Sequence, residues 1–343
     1  MKRTKKPLKR TLLCFISVEL FAFIILPALI LTLTYLFSSL PPFSHGNDLQ
    51  DGQIPSGKLK TPKTIAVYRH SYGIVENIPF EEYIKGVVAG EMPASFEPEA
   101  LKAQAVAART YSLSKYLRGC PDAHPQAPLC DDTHCQVYRS TYELAALKGD
   151  AWMADGWLKI CSAVDETEGE LMYYKGSLAE QPLFHSSSGG RTENSEDVFA
   201  SAVPYLRSVK SPYEEDATHR DEEKAFSASD FINLLNQKYP SRGLSAPLKT
   251  IDIVSRSDGG RVGEIKINGI SYDGRELREA LNLSSANFEV IFDRKTPNGD
   301  IKIISTGYGH GVGMSQYGAN GMAKKGYGYK KILRHYYTGI SVY

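Results

Sequence analysis

An N-terminal apolar segment constrains this chain more than any other feature. Six basic residues and no acidic one occupy residues 1–10, and residues 11–37 are then apolar except for Glu19. The stretch 20–37 alone has 18 residues without a charge, about 27 Å of helix at ~1.5 Å per residue, which just spans a hydrocarbon core of ~30 Å. Flanking basic residues hold their end of a span in the cytoplasm. We therefore expect a cytoplasmic tail at 1–10, a single transmembrane helix at 11–37 and an extracytoplasmic remainder.

A cleaved signal peptide is the alternative interpretation of this segment. Such peptides have an apolar core of roughly 7–15 residues followed by a cleavage site with small residues. The apolar run here is longer, and the sequence FSSLPP that ends it offers no good small-x-small site. An uncleaved membrane anchor is therefore favoured. Residues 38–62, rich in Pro, Gly, Ser and Asp, predict a tether between the anchor and the rest of the chain.

The charge beyond the anchor excludes one class of function. Removing the six N-terminal basic residues and Glu19 from totals of 40 basic and 39 acidic residues leaves 34 against 38. Nucleic-acid binding rewards a concentrated basic face, so a mildly acidic region predicts no nucleic-acid partner. An extracytoplasmic domain also has no ATP or NAD to work with, and we expect no nucleotide cofactor.

Residues 63–343 are expected to form an α+β domain with mixed sheets around an Ala-rich central helix. That helix is predicted over 97–117, where the alanines let other elements approach closely. A hairpin at 64–75 and a helix over 80–89 ending at Gly90 precede it. Strands and helices do not alternate regularly, which argues against a doubly wound sheet. The remaining predictions are strands near 163–174, 251–255, 262–267, 288–292 and 301–305, and helices near 140–147, 227–238 and 330–337.

Glu91 is the first residue considered for chemistry. It is predicted to lie on a stiff turn between Gly90 and the pair Met92-Pro93, close to apolar residues. Partial burial raises the pKa of a carboxyl group, and a neutral carboxylic acid is what a glycosidic leaving oxygen needs as its proton donor. Local chemistry alone still favours an ordinary capping or solvated glutamate.

Three long blocks of the sequence point to a family. In chain order they are YIKGVVAGEMPASFEPEALKAQAVAARTYSL, HSSSGGRTENSEDVFASAVPYLRSVKSP and GYGHGVGMSQYGANGMAKKGYGYKKILRHYYTGI. These blocks resemble the motifs of the stage II sporulation protein D family, which also contains amidase enhancers. The resemblance covers roughly residues 64–343.

The resemblance implies a lytic transglycosylase acting on peptidoglycan glycan strands. Glu91 matches the catalytic glutamate, which would protonate the oxygen between N-acetylmuramic acid and N-acetylglucosamine. As a carboxylate it would then take the proton from the muramic C6 hydroxyl, which closes on C1 to give a 1,6-anhydro end. Because this nucleophile is tethered to the substrate, a second carboxylate is not needed.

The resemblance also implies a place and partners. The enzyme would act at the septum between mother cell and forespore during engulfment. Its partners would be the amidase and the membrane protein of the same stage (proteins P and M), with the amidase stripping stem peptides from the strands first. Two other functions stay open: a binding module that enhances an amidase without chemistry, and, less favoured, a metal-dependent hydrolase.

Further substrate-binding residues are predicted within the three blocks. Lys102 and Arg109 lie seven residues apart on one helix face, where they could bind sugar hydroxyls, the lactyl carboxylate or transition-state charge; solvated charges or an ion pair are the alternatives. Ser188 and Tyr205 are expected to bind carbohydrate through their hydroxyl groups, with a purely structural turn as the alternative for the serine-rich segment. No G-x-S-x-G elbow supports a serine nucleophile there. His310, in a glycine-rich segment that lacks the P-loop pattern, is either a substrate contact or a structural histidine.

A Cys/His loop follows the Ala-rich helix. Its cysteine and histidine residues are Cys120, His124, Cys130, His134 and Cys135. A disulfide is the default outside the cell, but cysteines interleaved with histidines also fit a small zinc site. Members of the resembled family that hold zinc here use one histidine and two cysteines, which match His124, Cys130 and Cys135. Either Cys120 or His134 could add a fourth ligand to a structural zinc, and the missing H-E-x-x-H motif argues against a zinc protease.

Overall fold

The computed structural model describes residues 58–293 and 300–343. The predicted tail and anchor, and nearly all of the tether, lie outside these residues. In the part that is described, no helix combines the length and the apolar character needed to cross a membrane. The described residues form five small sheets packed with helices, which confirms the predicted α+β class for this part of the chain.

A hairpin and two helices begin the fold. The two strands pair antiparallel, with Thr64 opposite Pro79. Pro98 opens the second helix and Gly119 follows its last residue with a φ of 88°, a conformation that glycine adopts readily. These elements are β1 (Thr64–Arg69), β2 (Ile74–Pro79), α1 (Phe80–Glu91) and α2 (Pro98–Arg118).

The rest of the chain adds short strands and helices. In order they are β3 (Leu129–Cys130), α3 (Thr141–Lys148), α4 (Asp150–Trp152), a π-helical turn (Met153–Trp157), α5 (Leu158–Asp165), β4 (Met172–Tyr174), β5 (Ser177–Leu178), β6 (Phe184–His185), α6 (Ser195–Val198), β7 (Glu222–Phe226), α7 (Ala228–Lys238), a 3-10 turn (Pro240–Arg242), β8 (Ile251–Arg256), β9 (Val262–Ile267), β10 (Ile270–Asp273), α8 (Gly274–Ala280), β11 (Phe288–Asp293), β12 (Asp300–Ser305), β13 (Met314–Ser315), α9 (Gln316–Lys324), α10 (Tyr329–Tyr336) and β14 (Ile340–Val342).

The described strands pair into sheets in the orders β2-β1-β3, β10-β9-β8, β11-β12-β7, β13-β6 and β14-β4-β5. The β6–β13 pair is parallel and joins His185 to Ser315, so it brings the second sequence block beside the third.

Helix α2 lies at the centre of the main core, as predicted. Helices α1, α5, α9 and α10 all pack against it. Of its 21 residues 14 are buried, five of them alanines, and a helix that is buried on all sides needs such small side chains where neighbours approach. A second apolar core forms around Phe231, Leu235, Ile265, Leu277 and Phe288, between α7, α8 and the sheets of β7–β12.

Two local predictions are wrong. The first helix does not end at Gly90 but continues to Glu91, because Gly90 keeps a helical conformation while another backbone segment packs against it. The run 163–174 is a strand only from Met172 to Tyr174. Its first residues belong to α5, where Ile160, Ala163 and Val164 form one buried helix face. The helices predicted near 140–147, 227–238 and 330–337 are confirmed to within one residue.

Candidate active site

Glu91 is the last residue of α1, and its carboxyl group lies against the segment 137–139. The backbone N–H of Val137 donates to Oε1 of Glu91 at 2.7 Å. Two glycines of α1 permit this approach: a Cβ built at Gly90 would lie 2.6 Å from the carbonyl oxygen of Val137, and one at Gly86 would lie 2.5 Å from that of Arg139. Glycine on this face of α1 therefore allows the segment to reach and orient the Glu91 carboxyl group.

Burial raises the pKa of Glu91 above its ordinary value, and the hydrogen bond from Val137 and the side chain of Gln316 partly offset that rise. Glu91 is nevertheless partly exposed, while neighbouring Met92 is buried. Gln316 is itself buried, and its Nε2 makes no hydrogen bond of ordinary geometry within the described residues. A carboxyl group that resists ionisation yet can be reached from outside suits a proton donor.

Gln316 reaches Glu91 because the third sequence block folds onto the first. Ser315 caps α9 by accepting the N–H of Gly318 at 3.0 Å, which fixes Gln316 in the first turn. Further along α9, Oδ1 of Asn320 accepts the N–H of Glu97 at 2.8 Å. The rings of Tyr317 and Phe96 meet edge to face with centroids 5.1 Å apart. The loop between α1 and α2 is thus held by α9 on one side of Glu91.

The structure places Arg109 in an enclosed ion pair. Its side chain is fully buried, and Nη2 lies 2.7 Å from Oε2 of Glu81 in α1. The same guanidinium group donates to the carbonyl oxygens of Val164 and Glu170, at 3.2 and 3.4 Å. Arg109 therefore ties α1, α2 and α5 together. Its predicted substrate contact is untested, and this geometry favours a structural part.

Lys102 lies on the same helix in a half-buried position. Its Nζ is 2.8 Å from Oε1 of Glu99 and 2.7 Å from Oε2 of Glu166. Both of these ion pairs would have to break before the Lys102 ammonium group could bind a glycan. The substrate role of Lys102 stays a prediction.

Ser188 is buried and belongs to a cluster around the carboxylate of Glu214. Oε1 of Glu214 accepts the hydroxyl of Ser211 at 2.7 Å and also those of Ser188 and Ser315, while the N–H of Gly189 reaches Oε2 at 2.9 Å. This arrangement crosslinks the second and third sequence blocks. Ser315 of the Glu214 cluster directly precedes Gln316, whose side chain lies at Glu91. The two sites are therefore adjacent along the chain at this point.

Tyr205 and His310 are also largely enclosed. The hydroxyl of Tyr205 accepts the N–H of Gln181 at 2.8 Å, and burial raises the pKa of Tyr205 to about 12. Nδ1 of His310 accepts the N–H of Val312 at 3.1 Å. His310 lines a cavity whose lining residues do not include Glu91. The structure thus places neither side chain at Glu91, and their predicted carbohydrate contacts are untested.

The Cys/His loop brings four ligand atoms together. Those of His124, Cys130, His134 and Cys135 all lie within 4.8 Å of one another. Cys120 is exposed and outside this group, so of the two candidates for a fourth ligand it is His134 that lies with the other three residues. The cysteines of the described residues are free thiols, and no disulfide joins them.

Two of the measured spacings fit ligands of one tetrahedral zinc ion, and a third is slightly longer. Sγ of Cys135 is 3.4 Å from Nε2 of His124 and 3.6 Å from Nδ1 of His134, and Sγ of Cys130 is 3.9 Å from the latter. Zinc bonds of ~2.0–2.3 Å place neighbouring ligands roughly 3.3–3.8 Å apart in a tetrahedron. Nδ1 of His124 pairs with the carbonyl oxygen of Ala127 at 2.7 Å, which leaves Nε2 free to bind metal.

Four residues of these sites were not predicted from the sequence. Gln316 and Glu214 lie in or next to the blocks that resemble the family, but nothing in their spacing links them to Glu91 or Ser188. Val137 contributes only its backbone N–H, for which the sequence carries no signal. The alternative of an ion pair for Arg109 was open, yet its partner Glu81 was not identifiable.

Comparison with known proteins places the chain in a family. The family model described as "Stage II sporulation protein" matches residues 68–174. Stage II sporulation protein D of Bacillus subtilis (strain 168) is 44% identical over 284 residues, 82% of this chain and 79% of that protein. Its counterpart from Bacillus amyloliquefaciens is 41% identical over the same shares of both chains. The amidase enhancer of Bacillus subtilis (strain 168) is 32% identical over 76% of this chain but 40% of its own length. The chain belongs to the stage II sporulation protein D family.

Proposed function

We propose that this protein is a peptidoglycan lytic transglycosylase with Glu91 as its acid and base, acting on amidase-denuded glycan strands during spore engulfment. The observation that carries the proposal is the state of the Glu91 carboxyl group: burial raises its pKa while the residue stays partly exposed. Membership of a sporulation family and similarity to an amidase enhancer support a part in remodelling the cell wall of a sporulating cell.

The hydrogen bonds at Glu91 fit both halves of the reaction. Because Oε1 accepts the Val137 N–H, the acidic proton resides on Oε2, from which it passes to the bridging glycosidic oxygen. The muramic C6 hydroxyl then attacks C1, and its proton returns to the carboxylate. No water is consumed and the enzyme regains its starting state. The Val137 N–H stabilises the carboxylate between the two transfers, when charge is present.

We propose that His124, Cys130, His134 and Cys135 bind a structural zinc ion. The ion would hold the loop that ends at Cys135, two residues before Val137, and so would fix the N–H donor of Glu91. The donor set of two thiolates and two imidazoles is one that zinc takes in structural sites. The chemistry at Glu91 itself involves only residues of this chain and the substrate.

The apolar segment at 11–37 supports a location in the membrane, with the catalytic domain outside the cytoplasm at the septum between mother cell and forespore. In the same proposal the stage II amidase (protein P) and membrane protein (protein M) are its partners. Full-length protein made in a Gram-positive host should stay in the membrane fraction. A shed, shortened form would show cleavage after the apolar segment.

A second candidate function is enhancement of an amidase without chemistry, which the similarity to the amidase enhancer favours. The variant Glu91→Gln separates the two. If the protein is a transglycosylase, the variant loses strand cleavage, by roughly 10²–10⁴-fold for a general acid. If the protein acts only as an enhancer, the variant stimulates the amidase as well as the unchanged chain does, and neither form cleaves strands alone.

A further inference from the structure

A cavity of about 490 Å³ lies between the main core and the second core. Phe199, Gly309 and His310 line it from the side of the main core, and Val262 and Leu283 from the side of the second. Ligand sites for small molecules commonly measure ~300–1,000 Å³ and often lie at such junctions. Glu91 is not among the lining residues, so this cavity is not explained by the proposed cleavage chemistry.

Three arginines line this cavity, and one of them, Arg275, is paired with Asp273 beside it. Arg261 is buried, and its Nη1 lies 3.1 Å from Oε1 of Glu193, while its Nε has no hydrogen-bond partner within the described residues. Arg278 is half-buried, and its Nε makes one long hydrogen bond, 3.4 Å, to the carbonyl oxygen of Leu283. Burial and then the charge of Arg261 lower the pKa of Arg278. The two positive guanidinium groups repel each other in this recess, and an anion bound there would offset the repulsion.

Charges already present in the cavity do not neutralise Arg278. In the described part of the chain no carboxylate forms an ion pair with it, whereas each of the four acidic lining residues has a partner, although Oε2 of Glu193 has none within the described residues. The pairs are Glu193 with Arg261, Asp273 with Arg275, Glu279 with Lys238, and Asp197 with the amide of Asn194.

The remaining lining suits a ring with apolar faces. Phe199 is 43% exposed, an unusual state for a phenylalanine, and its ring meets that of His310 at 5.5 Å between centroids. Burial lowers the pKa of His310 to about 4, so its imidazole is neutral and adds no charge. A pyranose can lie against an exposed aromatic ring through its C–H faces while its polar groups reach the arginines.

We propose that this cavity binds a carboxylate-bearing sugar, with the carboxylate on Arg278 and the ring against Phe199. Planar guanidinium groups can bind a carboxylate through two parallel hydrogen bonds. The proposal rests on the proposed function, because the lactyl group gives each N-acetylmuramic acid residue of a glycan strand such a carboxylate. The cavity would then hold a strand at a second point besides Glu91.

Calorimetric titration of the full-length protein in detergent tests this site. The probes are N-acetylmuramic acid and N-acetylglucosamine, which differ by the lactyl group, together with inorganic phosphate. We expect N-acetylmuramic acid to bind at least tenfold more tightly than N-acetylglucosamine. Arg278→Gln should weaken that binding by about 10–100-fold, the loss of one or two charged hydrogen bonds. Arg118→Gln, an equal charge change at an exposed arginine, should leave it unchanged.

A second variant separates a sugar site from a general anion site. Phe199→Ala should weaken N-acetylmuramic acid binding and leave phosphate binding as it was. Equal binding of the two sugars, undiminished binding by Arg278→Gln, or phosphate binding as tight as that of N-acetylmuramic acid would each overturn the proposal. Strand cleavage by Glu91→Gln tests the cleavage proposal and sugar binding by Arg278→Gln tests the cavity proposal, so a failure of one is distinguishable from a failure of the other.

Discussion

Replacing Gly90 by alanine tests whether the contact between α1 and segment 137–139 positions the catalytic carboxyl group. The new Cβ would lie 2.6 Å from the carbonyl oxygen of Val137, and ordinary contact needs about 3.4 Å, so the segment must move by roughly 0.8 Å. The hydrogen bond of 2.7 Å between Val137 and Glu91 would then stretch or break. Hydrogen bonds to charged groups contribute about 1.5–3 kcal/mol, which corresponds to roughly a 10–100-fold loss of strand cleavage.

The net stability cost of this variant should be no more than about 2 kcal/mol. Overpacking costs about 1–3 kcal/mol, and alanine regains about 1 kcal/mol over glycine within a helix. The melting temperature should therefore fall by no more than ~8 °C. Gly328→Ala is the matched control, because its Cβ would meet nothing closer than a Glu99 oxygen at 3.5 Å. Cleavage of denuded strands by Gly90→Ala at the control's rate would refute the positioning argument.

Three further predictions concern Arg109, Glu91 and the Cys/His loop. Arg109→Gln should destabilise the fold by about 3 kcal/mol in urea unfolding, because it breaks a buried ion pair and leaves two carbonyl oxygens without their donor. An unchanged urea midpoint together with lost glycan binding would instead make Arg109 a substrate contact. Burial raises the pKa of Glu91 in the folded protein, so ionisation of this carboxyl group destabilises the fold once the pH rises past the unfolded-state pKa. Glu91→Gln should therefore melt at a higher temperature than the unchanged protein near pH 7 and lose this advantage towards about pH 4. A constant difference in melting temperature across that range would contradict the raised pKa. Protein purified without chelators should hold about one zinc per chain, which Cys130→Ser and Cys135→Ser lose and Cys120→Ser keeps; a Cys130–Cys135 disulfide without metal would contradict the zinc site.

The long Ala-rich helix was predictable because its signals are local. Pro98 in the first turn and alanine throughout the middle each act within a few residues. The alternation of apolar residues likewise predicted the first hairpin. By contrast, the short run 163–174 is apolar in a pattern that fits either a helix or a strand, and tertiary packing made its first part a helix.

The surroundings of Glu91 were beyond local reasoning because they arise from contacts distant in sequence. Gln316 and Val137 reach Glu91 only through the packing of α9 and of the segment after the Cys/His loop. Gly90 resembled a helix terminator, but its missing side chain serves close packing rather than a left-handed turn. The membership of the Cys/His cluster depended on the path of the loop, which brings His134 to the other three residues and leaves Cys120 outside them.

The chemistry of the newly formed chain ends tests the central claim most directly. Amidase-treated glycan strands would be digested by the full-length protein in water enriched in heavy oxygen, and the fragments analysed by mass spectrometry. The account predicts 1,6-anhydromuramic acid ends, one water lighter than reducing ends and free of the heavy isotope, and no fragments from Glu91→Gln. Reducing ends that carry the isotope, or undiminished cleavage by the variant, would contradict it.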